Sequence, residues 1–270
     1  MPLTPIGPGR IASLALLAIL CLALRSDGRS VSPSSLSIRM RNLPHKILWV
    51  WERPEDLRAI DPHTTAVAWL DQTIQIVPSQ DGPQVTSRPR RQPLALPSGA
   101  QKIAVVRIEV TPGTNLDHTN LDSLESRVIA ETLYSVTKPG IVALQIDFDA
   151  TRSQRTFYRH LLRDLRTQMP PDLPLSITAL ASWCSYDDWL TGLPIDEAVP
   201  MMFRMEPDRR RLRADRAELQ IRGPLCSTSV GISTRELWPS NIDLASKRIY
   251  IFPDQGWTLD TPLLAERNLP

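Results

Sequence analysis

Short apolar runs recur along the chain at 47–52 (ILWVWE), 66–71, 103–110 (IAVVRIEV), 142–149 (VALQIDFD), 175–180, 199–205, 227–233 and 248–253 (RIYIFP), separated by helical stretches or polar loops. Eight strand-like runs alternating with connections predict parallel βαβ units. Two connections carry helical spacing. Leu121, Leu124, Val128, Leu133 and Val136 follow it until Pro139-Gly140 stop the run. Phe157, Leu161, Leu162, Leu165 and Met169 follow it between the fourth and fifth runs, with Thr151 or Ser153 as cap and Pro170-Pro171 as the stop. A third, weaker helix starts near Asp208. The link between the second and third runs differs: 73–77 alternates like a strand, Asp81-Gly82 signals a turn, 84–86 returns, and Pro89, Pro93 and Pro97 follow. The pattern predicts an α/β fold, a (β/α)8 TIM-type barrel over residues 45–270, with a β-hairpin and Pro-rich loop in place of the helix between strands two and three. An open doubly wound sheet is the structural alternative.

Strands of a parallel barrel are buried on both faces and should be apolar throughout. Several here are not. Val142, Leu144, Ile146 and Phe148 oppose Ala143, Gln145, Asp147 and Asp149. Ala104, Val106, Ile108 and Val110 oppose Arg107 and Glu109; Leu175, Ile177 and Ala179 oppose Ser176 and Thr178; Val199, Met201 and Phe203 oppose Met202 and Arg204. With each apolar face turned toward outer helices, the polar faces point inward, where charges must pair or line a wet cleft. Glu109, Asp149 and Arg204 fall near C-terminal strand ends, where barrel active sites are built. Asp147 and Asp149 share a face at about 6.5–7 Å along the strand. Such neighbours push their proton affinities apart, which is what general acid catalysis needs. Closure of Arg107 and Arg204 with these acids into an internal network is the structural alternative. No His cluster completes a transition-metal site, so no metal or cofactor is expected.

Seven Trp outnumber the four Phe or four Tyr. Trp51, Trp183 and Trp257 fall at or just after the ends of strands one, five and eight, where their faces suit sugar rings; ordinary packing is the alternative. Asp254, just past strand eight, joins Arg107 and Arg204 in the candidate binding set. Arg88, Arg90 and Arg91 of the Pro-rich loop either reach over the cleft or solvate it, and the Arg run at 209–216 reads as a solvated face. A formal charge of +2 gives no pull toward nucleic acid.

Arg10 precedes fourteen residues without a charge, 11–24, and 25–28 end the run. Residues 1–29 therefore read as a signal peptide or N-terminal membrane anchor, 30–44 as a tether, and the protein as exported, periplasmic or membrane-anchored. Cys184 maps just past the C-terminal end of strand five and Cys226 to the start of strand seven, at opposite ends of the barrel. A disulfide needs Cα atoms within about 7 Å, so two free cysteines are expected.

The stretch IDFDA resembles the D-x-D-x-E signature that ends strand four in chitinase-like glycoside hydrolases of family eighteen. There the final Glu is the acid and the Asp two before it assists. The resemblance implies Asp149 as acid and Asp147 as its support, with Asp replacing Glu and Leu144 or Gln145 replacing the first Asp. Gln255-Gly256-Trp257 resembles the strand-eight Trp of that fold. The blocks AVVRIE, LQIDFDA, LSITAL and VPMMFRM resemble a bacterial family known only as a domain of unknown function, which implies a glycoside-hydrolase-like barrel. Three readings follow. The first is an envelope-associated barrel that cleaves or modifies a polysaccharide, with Asp149, Asp147 and Glu109 as its carboxyls. The second is a non-catalytic barrel that binds a glycan or an envelope partner. The third is a scaffold whose inner charges close into salt bridges.

Overall fold

β1 (Lys46–Val50) pairs in parallel with β3 (Thr65–Val77) on one side and β11 (Arg248–Phe252) on the other, and this closes the sheet on itself. The circuit continues from β3 through β6 (Lys102–Val110), β7 (Ile141–Asp147), β8 (Leu175–Leu180), β9 (Glu197–Met201) and β10 (Ser229–Ser233) back to β11, every pair parallel. The expected TIM-type barrel is therefore present. In this computed structural model the described residues are 38–116, 121–203, 221–236 and 243–259, all within a unit that spans 33–270. The N-terminal apolar run, the Arg run, Arg204 and the third expected helix lie outside the described residues.

The hairpin expected between strands two and three is present as β4 (Gln84–Pro89), antiparallel to the second half of β3. Its physical counterpart is a bulge at Asp71, where the β3–β6 register shifts between Leu70 and Gln72. One extra residue flips the side-chain parity of a strand. Ala66, Ala68 and Leu70 thus pack inside the barrel, while Ile74 and Ile76 pack outside it. The bulge residue itself is held by Lys138 Nζ at 2.5 and 2.7 Å from its carboxylate oxygens. A single 13-residue strand consequently reads in sequence as two shorter ones.

α1 (Leu121–Val136) and α2 (Arg155–Gln168) cover the outer faces of β6, β7 and β8, burying Leu124, Val128, Phe157, Tyr158, Leu161, Leu162 and Leu165 in one cluster. Each such side chain contributes roughly 1.5–3 kcal/mol on burial. The backbone of Thr151 donates to Gln154 Oε1 at 2.8 Å as the chain enters α2, and Pro170 follows its last turn. The opposite flank has no long helix among the described residues. There Leu57, Ile60, Leu244 and Trp257 cover β1, β10 and β11, beside the two-stranded sheet of β2 (Glu55–Asp56) and β5 (Leu94–Ala95).

Ile47, Trp49, Ala66, Ile103, Val105, Ala143, Val199, Tyr250 and Phe252 fill the barrel interior. Gly231 makes room for this packing, because a Cβ there would stand 3.0 Å from the Phe252 ring. Residues 38–44, the end of the expected tether, include a turn that buries Met40 and Leu43 in the same cluster. The orientation expected for strand six is corrected here. Val199, Met201 and Phe203 pack with the interior and Met202 with the outer layer, because the interior at this point is itself aromatic and apolar.

The two cysteines are bonded, with Cα atoms 5.8 Å apart, which overturns the expectation of free thiols. Strand position misplaced both. Cys184 lies in α3 (Ala181–Ser185) and Cys226 in a 3-10 turn, Pro224–Cys226; both elements pack against β9 on the outside of the barrel. Cross-linking residues 42 apart stabilises by about 2–4 kcal/mol. Intact-mass spectrometry should show a gain of about 2 Da on reduction, and reduced protein should melt several degrees lower. An unchanged mass would remove the bond.

Candidate active site at the barrel mouth

The alternating polar face of β6 and β7 points into the barrel, as expected, and parallel register sets Arg107 beside Asp147. Arg107 Nη1 donates to Asp147 Oδ2 at 2.8 Å and its Nε donates to Glu109 Oε1 at 2.8 Å. Thr178 of β8 donates to the other Asp147 oxygen at 2.7 Å. Gln75, brought inward by the β3 bulge, donates to Glu109 Oε2 at 3.2 Å. The Arg107 guanidinium also lies over the Trp51 ring, 5.9 Å from its centroid.

These contacts distinguish the carboxyls. Burial pushes the Glu109 carboxyl up, but hydrogen bonds from Arg107 and Gln75 and the charges of Arg107 and Arg88 outweigh it and hold Glu109 below its ordinary range. Burial, then the neighbouring Asp147 charge, push Asp149 up, and Arg107 only partly opposes them. Asp149 follows the end of β7 and is the one of the three that accepts no hydrogen bond among the described residues. Asp149 keeps solvent-exposed surface, which leaves it open to a ligand, although the protein packed around its carboxyl still desolvates the charge. The arrangement can hold a proton at Asp149 beside a fixed, guanidinium-bound carboxylate.

Arg107, Glu109, Asp147, Asp149 and Trp51 are thus brought together. Trp183 and Trp257 are not. Trp183, 3% exposed, packs in the outer cluster against Trp189, with ring centroids 4.8 Å apart. Trp257, 2% exposed, packs on the opposite flank and donates its Nε1–H to the Trp49 carbonyl at 2.7 Å. The chain has already turned outward where both occur, so neither reaches the mouth; Trp183 instead lines a cavity on the outside of the barrel. Asp254 sits on the rim, where its carbonyl accepts from Arg53 at 2.9 Å. Arg90 of the Pro-rich loop donates to the carbonyls of Trp51 and Arg53, and Arg91 N–H donates to Glu52 at 2.8 Å, so this loop fastens the β1 end of the mouth.

Beneath the mouth runs a second polar chain, in which Gln145 and Ser176 stand on the expected inward faces while Trp49 and Glu197 were not singled out in the sequence. Trp49 Nε1 donates to Gln145 Oε1 at 2.9 Å, Gln145 Nε2 to Ser176 Oγ at 3.1 Å, and Ser176 to Glu197 Oε2 at 3.2 Å. Glu55 of β2 was also missed. It is 5% exposed, and neither carboxylate oxygen has a hydrogen-bond partner among the described residues. Burial pushes its pKa up to about 8 against the attraction of Arg90 and Arg53 and the nearby Trp257 backbone N–H, which falls short of a full hydrogen bond. A carboxyl with folded pKa above its unfolded value contributes stability that is full below about pH 4.5 and lost as pH rises through about 8. Glu55→Gln should therefore raise stability at pH 9 by roughly 1–3 kcal/mol and change it little at pH 4. Urea titrations at the two pH values check this; an equal effect at both would refute it.

No curated protein matches the chain. Among solved structures, the Bacillus cereus spore cortex-lytic enzyme SleL matches at 16% sequence identity and a TM-score of 0.43, over 73% of this chain and 54% of that one. The chain thus spans about half the length of that enzyme. Residues 98–210, the stretch that carries Arg107, Glu109, Asp147 and Asp149, match the family model described as Domain of unknown function (DUF3142).

Proposed function

We propose that the barrel mouth binds a polysaccharide and hydrolyses it with Asp149 as proton donor. One observation carries this reading. Two carboxyls follow each other on one strand face, and only Asp147 is locked by Arg107 and Thr178, while burial and the Asp147 charge raise the proton affinity of Asp149. In the step, the Asp149 carboxyl gives its proton to the glycosidic oxygen as the bond to the anomeric carbon breaks. The electron pair leaves on that oxygen. Asp147 stabilises the developing positive charge, and water adds to the carbon while its proton returns to Asp149. Trp51 offers a ring face to the sugar. Export is part of the same proposal, and two features support it: the signal-like run at 11–24, and a disulfide, which persists in oxidising compartments. If the run is retained, the barrel works at a membrane face.

One observation favours a second reading, a barrel that binds glycan without cleaving it. Glu109 and Asp147 are both engaged by Arg107, which leaves Asp149 without a second carboxyl free to act. A panel of envelope and extracellular polysaccharides, incubated with the protein and with Asp149→Asn, separates the two. New reducing ends from the parent alone support hydrolysis. Binding by both proteins without new ends supports the second reading.

A further inference from the structure

Outside the barrel, between the start of α2, α3 and the turn Pro224–Cys226, lies a cavity of about 900 Å³. The mouth residues Arg107, Glu109, Asp147 and Asp149 are not among its lining residues. Its walls are fixed. Cys226 forms part of them and is tied to α3 by its disulfide to Cys184, and Arg222 N–H donates to the Cys184 carbonyl at 2.6 Å. Three arginines, Arg152, Arg155 and Arg222, line it together with two acids, Asp187 and Asp188; Asp187 is taken up by Arg155, and the lining keeps one net positive charge. Arg155 is anchored by Asp187 at 2.7 Å and lies over the Trp189 ring at 5.2 Å, yet its Nε is buried with no partner among the described residues. Ser185, also lining the cavity and only 4% exposed, has a hydroxyl in the same condition. Buried donors are normally satisfied, and these two stand in the cavity wall out of reach of water, so each gains an acceptor when its side chain shifts toward a ligand in the cavity.

We propose that this cavity is a binding site for an acidic saccharide, a sugar chain that carries a carboxylate. Arg recognises carboxylates through paired N–H groups, and the Ser185 hydroxyl adds a further donor. Tyr186, 62% exposed on the cavity wall, presents a ring face for a pyranose. Arg152 follows Asp149 by three residues, at most about 11 Å of extended chain. A glycan seated at the mouth therefore reaches the cavity, and the choice of a saccharide rests on the function proposed above.

Calorimetric titration of the whole protein with hexagalacturonate, neutral cellohexaose and hexaglutamate tests the site. Hexagalacturonate should bind the parent and Asp149→Asn within a few fold of each other, and cellohexaose should bind at least tenfold more weakly than hexagalacturonate. Arg222→Gln with Ser185→Ala should weaken hexagalacturonate at least tenfold. Arg222→Gln alone, at an exposed position, should show a smaller loss, and keeps the test readable if the Ser185 change disturbs packing. Equal affinity for the neutral hexamer, or no loss in either cavity variant, overturns the proposal. Loss in Asp149→Asn instead places the acid in the mouth and also overturns it, and tighter binding of hexaglutamate reassigns the cavity to acidic peptides. Absence of hydrolysis with this binding pattern intact defeats the catalytic reading of the mouth and leaves the cavity site standing.

Discussion

Asp149→Asn should lower turnover of a polysaccharide substrate by about 10²–10⁴-fold, the usual contribution of a positioned general acid. The substitution is nearly isosteric and replaces the carboxyl with a neutral amide that cannot act as a proton donor. Asp149 is exposed and accepts no hydrogen bond among the described residues, so the barrel should keep its stability. Binding should change by no more than a few fold, which separates a chemical role from a structural one. The pH profile adds a second reading. Burial and Asp147 raise the Asp149 pKa, so the parent should lose activity on an alkaline limb displaced above the ordinary aspartate value of about 3.9. The residual activity of the variant should lack that limb. Unchanged turnover in Asp149→Asn would remove Asp149 from the chemistry.

The largest expected effect on stability lies in the barrel interior. Glu197 is 1% exposed and accepts from Arg248 Nη1 at 2.6 Å, Tyr250 Oη at 2.6 Å and Ser176 Oγ at 3.2 Å. Arg248 also donates to the carbonyls of Met40 and Pro44, which holds the 38–44 segment against the barrel. Arg248→Met strands a buried carboxylate and should cost about 3–5 kcal/mol. At roughly 2–4 °C per kcal/mol for a domain of this size, the melting temperature should fall by about 6–20 °C. Arg248→Met with Glu197→Gln removes both charges and should recover much of that loss, because the two residues act as one unit. A single-variant loss under 1 kcal/mol by urea denaturation would mean that the pair carries little.

The polarity of the interior connects these two expectations. Arg248 and Glu197 fix one tier of the barrel, Trp49, Gln145 and Ser176 carry hydrogen bonds through the middle, and Arg107 with Asp147 and Thr178 forms the mouth. The same polar alternation that would weaken an apolar core orients the mouth carboxyls.

That alternation was legible in the sequence. Arg107, Glu109, Asp147 and Asp149 were readable as inward groups because side chains in a strand alternate with period two, and β6 and β7 carry one apolar and one polar face each. The two long helices and the hairpin were legible for similar local reasons: helical spacing with proline stops, and an Asp-Gly turn between alternating runs. Period two distinguishes two faces but does not say which is inward. On β9 the residues above Glu197 are apolar on both faces, and only closure of the barrel around Phe252 and Trp49 turns Val199 and Met201 inside, on the same face as Glu197. The expectation of free cysteines failed for a related reason: Cys184 and Cys226 lie outside the strands, as do Trp183 and Trp257, and there no period constrains the chain. Local pattern determined the strands, the helices and the paired carboxyls of the mouth. Tertiary closure decided the parity flip at Asp71, the disulfide, the buried Glu55 and the outer cavity, since each depends on contacts between segments far apart in sequence.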